Sequence, residues 1–146
     1  MQQSALRRSA MGDFEAGKWD PKQAALKELK RLEQLPEDQR VMEGSLNLAD
    51  TPITSLPAGL RVGGNLILYN TPVTSLPPGL HVGGHLDLYS TPIAALPVGL
   101  KVGLDLYLTR TPITSLPADL QVGGSIVGLD RKYWADVPEH LKSKLR

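Results

Sequence analysis

The sequence predicts a mainly β protein, a right-handed parallel solenoid of 20-residue repeats closed by an N-terminal amphipathic α-helix and a short C-terminal cap. Three observations carry that prediction. Thr-Pro-Ile-Thr-Ser-Leu-Pro starts at Thr51 and again at Thr111, with Thr-Pro-Val-Thr-Ser-Leu-Pro at Thr71 and Thr-Pro-Ile-Ala-Ala-Leu-Pro at Thr91, so the period is 20 residues without insertion. Alternating leucines recur once per period at Leu46/Leu48, Leu66/Leu68, Leu86/Leu88 and Leu106/Leu108, the signature of a short strand with one buried face. Eight of the 12 prolines and ten of the 14 glycines hold fixed places in the repeat, which makes them corners and stiff connectors of a stack and removes their usual association with disorder.

Composition narrows the chemistry. The 146 residues are 41% hydrophobic and 21% charged, enough apolar content to offset chain entropy in one small domain. They contain no cysteine, which excludes disulfides, thiolate metal sites and thiol nucleophiles. The net charge is +1, and residues 45–130 carry only three basic and five acidic side chains, so no broad field favours nucleic acid or an anionic membrane. No run of 18 apolar residues is present, and the N-terminal stretch lacks the apolar segment of a secretory signal. Cytoplasmic residence, in a bacterial or a host cell, is the expectation, with any secretion by a route independent of a signal peptide.

A single domain is expected over 1–146. Residues 1–19 form a flexible arm in this reading. Residues 20–44 make a helical N-cap: Asp20 as capping acceptor, Pro21 in the first turn and Gln23 of a capping box precede Ala25, Leu26, Leu29 and Leu32 on one helical face, giving a helix over 20–34. Residues 45–130 are the solenoid. A 20-residue unit cannot bury its own apolar face, so stacking is the economical solution. The inward columns are then Ile53/Val73/Ile93/Ile113, Leu56/Leu76/Leu96/Leu116, Leu60/Leu80/Leu100/Leu120 and Val62/Val82/Val102/Val122, together with the paired leucines. Arg61, His81, Lys101 and Gln121 form an outward column. The Gly-Gly pairs at 63, 83 and 123 supply a tight corner ahead of the strand, and Gly103-Leu104 implies a different corner in the third coil. Thr51, Thr71, Thr91 and Thr111 suggest a hydroxyl ladder along the stack. Residues 131–146 are the C-terminal cap and tail, with Tyr133 and Trp134 plugging the last layer, Val137-Pro138 and Leu141 echoing the repeat, His140 solvated and residues 143–146 mobile.

The run Leu-x-Leu-x-x-Thr-x-Ile/Val-x-x-Leu-Pro over residues 46–129 resembles a leucine-rich repeat of the short bacterial kind, with Thr where that family usually has Asn. It departs from the family at Leu-x-Val-Gly-Gly, and another parallel β-solenoid with 20-residue coils stays open as the geometry. The resemblance implies that residues flanking the inward leucines form an open, partner-binding face. That face would hold Ser45, Asn47 and Ala49; Asn65, Ile67 and Tyr69; His85, Asp87 and Tyr89; Asp105, Tyr107 and Thr109; and Ser125, Val127 and Leu129. Three of the four tyrosines fall on it, and Tyr offers large contact area at small entropic cost. The expected partner-binding set is Asn65, Ile67, Tyr69, His85, Asp87, Tyr89, Asp105, Tyr107 and Thr109.

The functional expectation is a non-enzymatic protein-interaction module, of the kind found among bacterial effectors and phage or prophage accessory proteins, that binds and modulates another protein. A self-associating scaffold is the alternative. A hydrolytic or metal site at His85, Asp87 and Asp105 is a minor third reading, because a flat face gives no pocket to shift pKa values or exclude water. No cofactor, metal, small-molecule substrate or membrane is expected. Nucleic acid is disfavoured despite the basic tail of Arg131, Lys132, Lys142, Lys144 and Arg146, since no recognised nucleic-acid module accompanies it.

Overall fold

A computed structural model describes residues 20–146, and the expected flexible arm at 1–19 lies outside the described residues. The chain winds into a mainly β solenoid of about four turns with two parallel sheets. One sheet stacks β1 (Val41–Met42), β3 (Arg61–Val62), β5 (His81–Val82), β7 (Lys101–Val102) and β9 (Gln121–Val122). The other stacks β2 (Leu46–Asn47), β4 (Leu66–Ile67), β6 (Leu86–Asp87), β8 (Leu106–Tyr107) and β10 (Ile126–Val127). The register matches the sequence period: Val62 pairs with Val82, and Leu66 with Leu86. The sequence reading has one strand per coil, whereas the structure has two. From β3 onward the additional strand holds a single apolar residue beside a glycine corner and therefore shows no alternation to read.

The core forms as expected from the columns. Leu60, Leu66, Leu68, Leu80, Leu86, Leu88, Leu100 and Leu106 are fully buried, the Val column is at most 4% exposed, and only Ile53 of the Ile/Val column is half-buried. Each such side chain favours folding by about 1.5–3 kcal/mol relative to exposure, and a 20-residue coil gains this only when neighbours cover it. Arg61, His81, Lys101 and Gln121 point outward, as their column predicts.

Two backbone devices set the turns. Gly63, Gly83, Gly103 and Gly123 stack so closely that a Cβ on any of them would overlap the carbonyl oxygen of the preceding coil. The corner at Gly103-Leu104 is the same as the others: Leu104 N–H donates to Gly84 C=O at 3.1 Å, as Gly84 N–H does to Gly64 C=O at 2.9 Å. Past the strand, Asp50, Asn70, Ser90 and Arg110 take left-handed backbone at φ 55–60°, a conformation costing roughly 1 kcal/mol for a residue with a Cβ. The following threonines stabilise this turn. Their Oγ1 atoms donate to the carbonyls of Leu48, Leu68, Leu88 and Leu108 at 2.6–2.8 Å, within one coil. The hydroxyl ladder between coils is thus corrected to a turn-closing bond three residues long, because the left-handed residue brings the hydroxyl back onto its own chain.

Both ends are capped. Helix α1 (Pro21–Glu33) begins as expected, with Asp20 Oδ1 accepting from Lys22 N–H at 2.9 Å, and it lays Leu29 and Leu32 on the first coil. Arg40 closes its other end by donating to the carbonyls of Leu32, Glu33 and Leu35 at 3.0–3.2 Å and to Ala58 C=O at 2.8 Å. A guanidinium at a helix C-terminus satisfies carbonyls that the helix leaves open and suits the negative end of its dipole. At the far end, Trp134 donates from Nε1 to Leu129 C=O at 2.9 Å, and α2 (Glu139–Lys142) buries Leu141. Residues 144–146, expected to be mobile, instead extend the second sheet: Ile126 N–H donates to Lys144 C=O at 2.7 Å, Arg146 N–H to Ile126 C=O at 2.8 Å, and Leu145 is 5% exposed. His140 is exposed, as expected, and its Nε2 also lies 3.0 Å from Leu120 C=O, the acceptor that a further coil would have used. Its ring stands in for the missing ladder donor.

Candidate functional site

The first column of the predicted face is an internal brace. Ser45 Oγ accepts from Asn65 N–H at 2.9 Å, Asn65 Oδ1 from His85 N–H at 2.8 Å, His85 Nδ1 from Asp105 N–H at 3.2 Å, and Asp105 Oδ1 from Ser125 N–H at 2.7 Å. Each side chain holds the backbone of the next coil, so four residues of four types, Ser45, Asn65, His85 and Asp105, share one role through an acceptor at the same reach. The brace also explains the second glycine of each corner. A Cβ at Gly64, Gly84 or Gly124 would overlap Ser45 Oγ, Asn65 Oδ1 or Asp105 Oδ1. Leu104, the one departure, follows the coil whose acceptor is the ring nitrogen of His85 rather than a side-chain oxygen.

This arrangement assigns the proton of His85 to Nε2, because Nδ1 accepts. Asp105 Oδ2 lies 3.5 Å from the same Nδ1, and Tyr107 Oη donates to that oxygen at 3.3 Å. The Ser125 N–H, foremost, and then the Tyr107 hydroxyl hold the Asp105 carboxyl below its ordinary range against the opposing effect of burial. Burial, then the Asp105 carboxylate, pushes the Tyr107 hydroxyl up. A depressed carboxyl supports the fold above its unfolded pKa, near 3.8, and that support is lost as pH falls through the folded value. Asp105→Asn keeps the Oδ1 acceptor, as Asn65 shows, and removes the titration. Thermal melts from pH 5 to about pH 2 are expected to show a smaller acid-induced loss of stability in the variant than in wild type.

The outer part of the face is built differently. Asp87 Oδ1 turns back to accept from Tyr89 N–H at 3.0 Å, and Asn47 Oδ1 does the same for Ala49 N–H at 3.1 Å. Tyr107 lies against His85, their ring centres 5.9 Å apart, and the Arg110 guanidinium sits over the Tyr89 ring at 5.7 Å. All nine residues of the predicted binding set are half-buried on one side of the solenoid. The wider face is corrected at its two ends: Ala49 and Leu129 are each 5% exposed and belong to the interior. His85 and Asp105 adjoin while Asp87 is turned to the backbone, and among the described residues no group of three His, Cys, Asp or Glu side chains is placed to hold a metal.

Sequence reasoning placed Lys132 in a basic tail and Tyr133 in the last layer and passed over Arg110; the three line an open recess where the last coil meets the C-terminal cap. A signal was available at Arg110, since the same column reads Asp50, Asn70 and Ser90 before it. Together these features define a doubly capped, two-sheet parallel β-solenoid that presents tyrosines on one strand face. No family model, curated protein or solved structure matches the chain. No helix among the described residues is long and apolar enough to cross a membrane.

Proposed function

We propose that this chain is a non-enzymatic protein-interaction module that docks another protein on the face bearing Tyr69, Tyr89 and Tyr107. The observation that carries the reading is the pairing of these aromatic rings with polar neighbours that are each already engaged in an internal hydrogen bond. Asn65, His85, Asp87 and Asp105 each accept a backbone N–H. A partner can therefore cover the tyrosines without stripping water from many unpaired polar groups, the condition under which Tyr becomes an interface hot spot. A rigid stack adds to this by holding the rings in place before binding. The repeat's likeness to short bacterial leucine-rich repeats supports an effector or phage-accessory role in a bacterial or host cytoplasm. Caps on both coil ends favour a partner on the face over a second copy at an edge.

Affinity capture from cells with wild type and with Tyr69→Ala/Tyr89→Ala/Tyr107→Ala tests the placement. The triple variant is expected to keep its circular dichroism spectrum and lose at least tenfold in partner recovery, since a hot-spot residue contributes about 2 kcal/mol or more. Equal recovery by both proteins would move the binding site elsewhere.

A further inference from the structure

The recess between the fourth Thr-Pro-Ile-Thr run and the C-terminal cap has a definite origin in the repeat. The column Leu48, Leu68, Leu88, Leu108 ends at Gly128, whose φ of 96° turns the chain out of the coil path. Thr51, Thr71 and Thr91 are at most 4% exposed, while Thr111 is only half-buried because no further coil covers it. The opening left behind is about 280 Å³, with Thr111, Gly128 and Asp130 among its walls and Arg110, Lys132 and Tyr133 bringing the functional groups. That is below the roughly 300–1,000 Å³ of sites for drug-sized ligands, and suits a single side chain.

Its chemistry is cationic. The Lys132 ammonium lies over the Tyr133 ring at 5.1 Å, and Arg110 lies over Tyr89 at 5.7 Å, so both cations rest on aromatic faces. Neither forms a salt bridge among the described residues. The one carboxylate in the lining, Asp130, has Oδ1 accepting from the Lys132 backbone N–H at 3.1 Å. Two residues with cationic side chains and one with a carboxylate thus line the recess.

Arg110 supplies the second, independent observation. Its φ is 60°, in a column where Asp50, Asn70 and Ser90 hold the same left-handed turn. Asn and Asp tolerate that conformation through local hydrogen bonds, whereas a long unbranched side chain gains nothing from it. The turn does not call for Arg, yet Arg110 is a residue that lines the recess and sets its guanidinium over Tyr89. All four coils carry this left-handed turn, and Arg110 is the one long side chain that occupies it.

We infer that this recess binds a carboxylate side chain on an acidic segment of the docked protein, gripped by Arg110 and Lys132. The inference rests on the proposed docking face, because Arg110 and Tyr89 join the two surfaces into one. Arg with adjoining tyrosines matches the composition of interface hot spots, and an Arg fork suits a carboxylate's two oxygens. Among anionic partners an acidic protein segment fits best, since the recess admits one group and the +1 chain offers no extended basic track for a nucleic-acid backbone.

The test uses acetyl-hexaglutamate-amide as probe, titrated into the full chain and followed by nuclear magnetic resonance. Acetyl-hexaglutamine-amide, inorganic phosphate and a six-nucleotide oligothymidylate serve as comparisons. Hexaglutamate is expected to shift the Arg110 side-chain Nε–H and the amides of Thr111, Gly128 and Lys132, with shifts that weaken as salt is added. Arg110→Ser, which restores the residue type found at Ser90, and Lys132→Gln should each weaken that binding by about fivefold while leaving the melting curve intact. Absence of these shifts, equal shifts from hexaglutamine, or stronger binding of phosphate or oligothymidylate overturns the assignment.

Tyr69→Ala/Tyr107→Ala, which leaves Tyr89 under Arg110, separates this inference from the docking face. Loss of partner capture in that variant with unchanged capture by Arg110→Ser would uphold the face and refute the recess. Retained capture in the tyrosine variant with lost capture in Arg110→Ser would uphold the recess and move the face.

Discussion

Replacing Gly103 with alanine is expected to destabilise the chain by about 3 kcal/mol, the sum of steric strain and two weakened ladder bonds. The added Cβ would overlap the Gly83 carbonyl oxygen and approach its carbon to 2.9 Å. Neither neighbour can swing away, because both are backbone. Relief requires the coils to part at a point where strands normally lie about 4.8 Å from one another. The bonds on either side resist that movement: Gly103 N–H to Val82 C=O at 2.8 Å and Leu104 N–H to Gly84 C=O at 3.1 Å. Gly44→Ala is the matched control, since a Cβ there meets nothing within 4 Å. It is expected to be neutral or to stabilise by up to about 1 kcal/mol through the unfolded chain. Urea unfolding of both variants checks the pair, and similar midpoints for the two would refute the close coil-to-coil approach.

The same contact shows why some of the fold was legible in sequence and some was not. The period, the inward columns and helix α1 each follow from spacing along the chain, and Leu60, Leu80 and Leu100 lie where the repeat requires them. The brace through Ser45, Asn65, His85, Asp105 and Ser125 joins residues 20 apart. Its signal was nevertheless present, because every member carries a side-chain acceptor close to the backbone. What hid it was chemical variety: Ser, Asn, His and Asp look unrelated until the shared acceptor is the criterion. Leu104 then changes meaning, from a broken corner to the companion of His85. The threonine column failed for a different reason. A hydroxyl three residues beyond a leucine can reach along the stack or back onto its own coil, and only the left-handed backbone at Asp50, Asn70, Ser90 and Arg110 decides between them. Asp and Asn in that column hint at the turn, while Arg110 conceals it. The placement of the candidate site was legible through the tyrosines, and the recess beside Arg110 was not, since it forms where the repeat stops.

Leu145→Asp is expected to cost about 3–5 kcal/mol, combining loss of a buried leucine with a carboxylate directed into the last core layer. The larger consequence concerns the sheet edge. Leu145 is 5% exposed and bridges Ile126, and the flanking bonds from Ile126 N–H to Lys144 C=O and from Arg146 N–H to Ile126 C=O cover the final strand of the second sheet. Detaching this segment frees the N–H and C=O of Ile126 beside apolar Leu129 and Leu141, both buried in the native cap. An uncovered parallel strand with an apolar flank is a template for pairing with another chain. Light scattering across a concentration series is therefore expected to show growing mass for Leu145→Asp and a constant mass for wild type, while thermal melts report the lost stability. A variant that melts and scatters like wild type would mean that residues 144–146 do not seal the stack. The prediction also bears on the choice between a docking module and a self-associating scaffold. Growth that appears only when the cap is removed places the capacity for assembly under the C-terminal segment, and leaves the intact chain with its tyrosine face as the surface open to a partner.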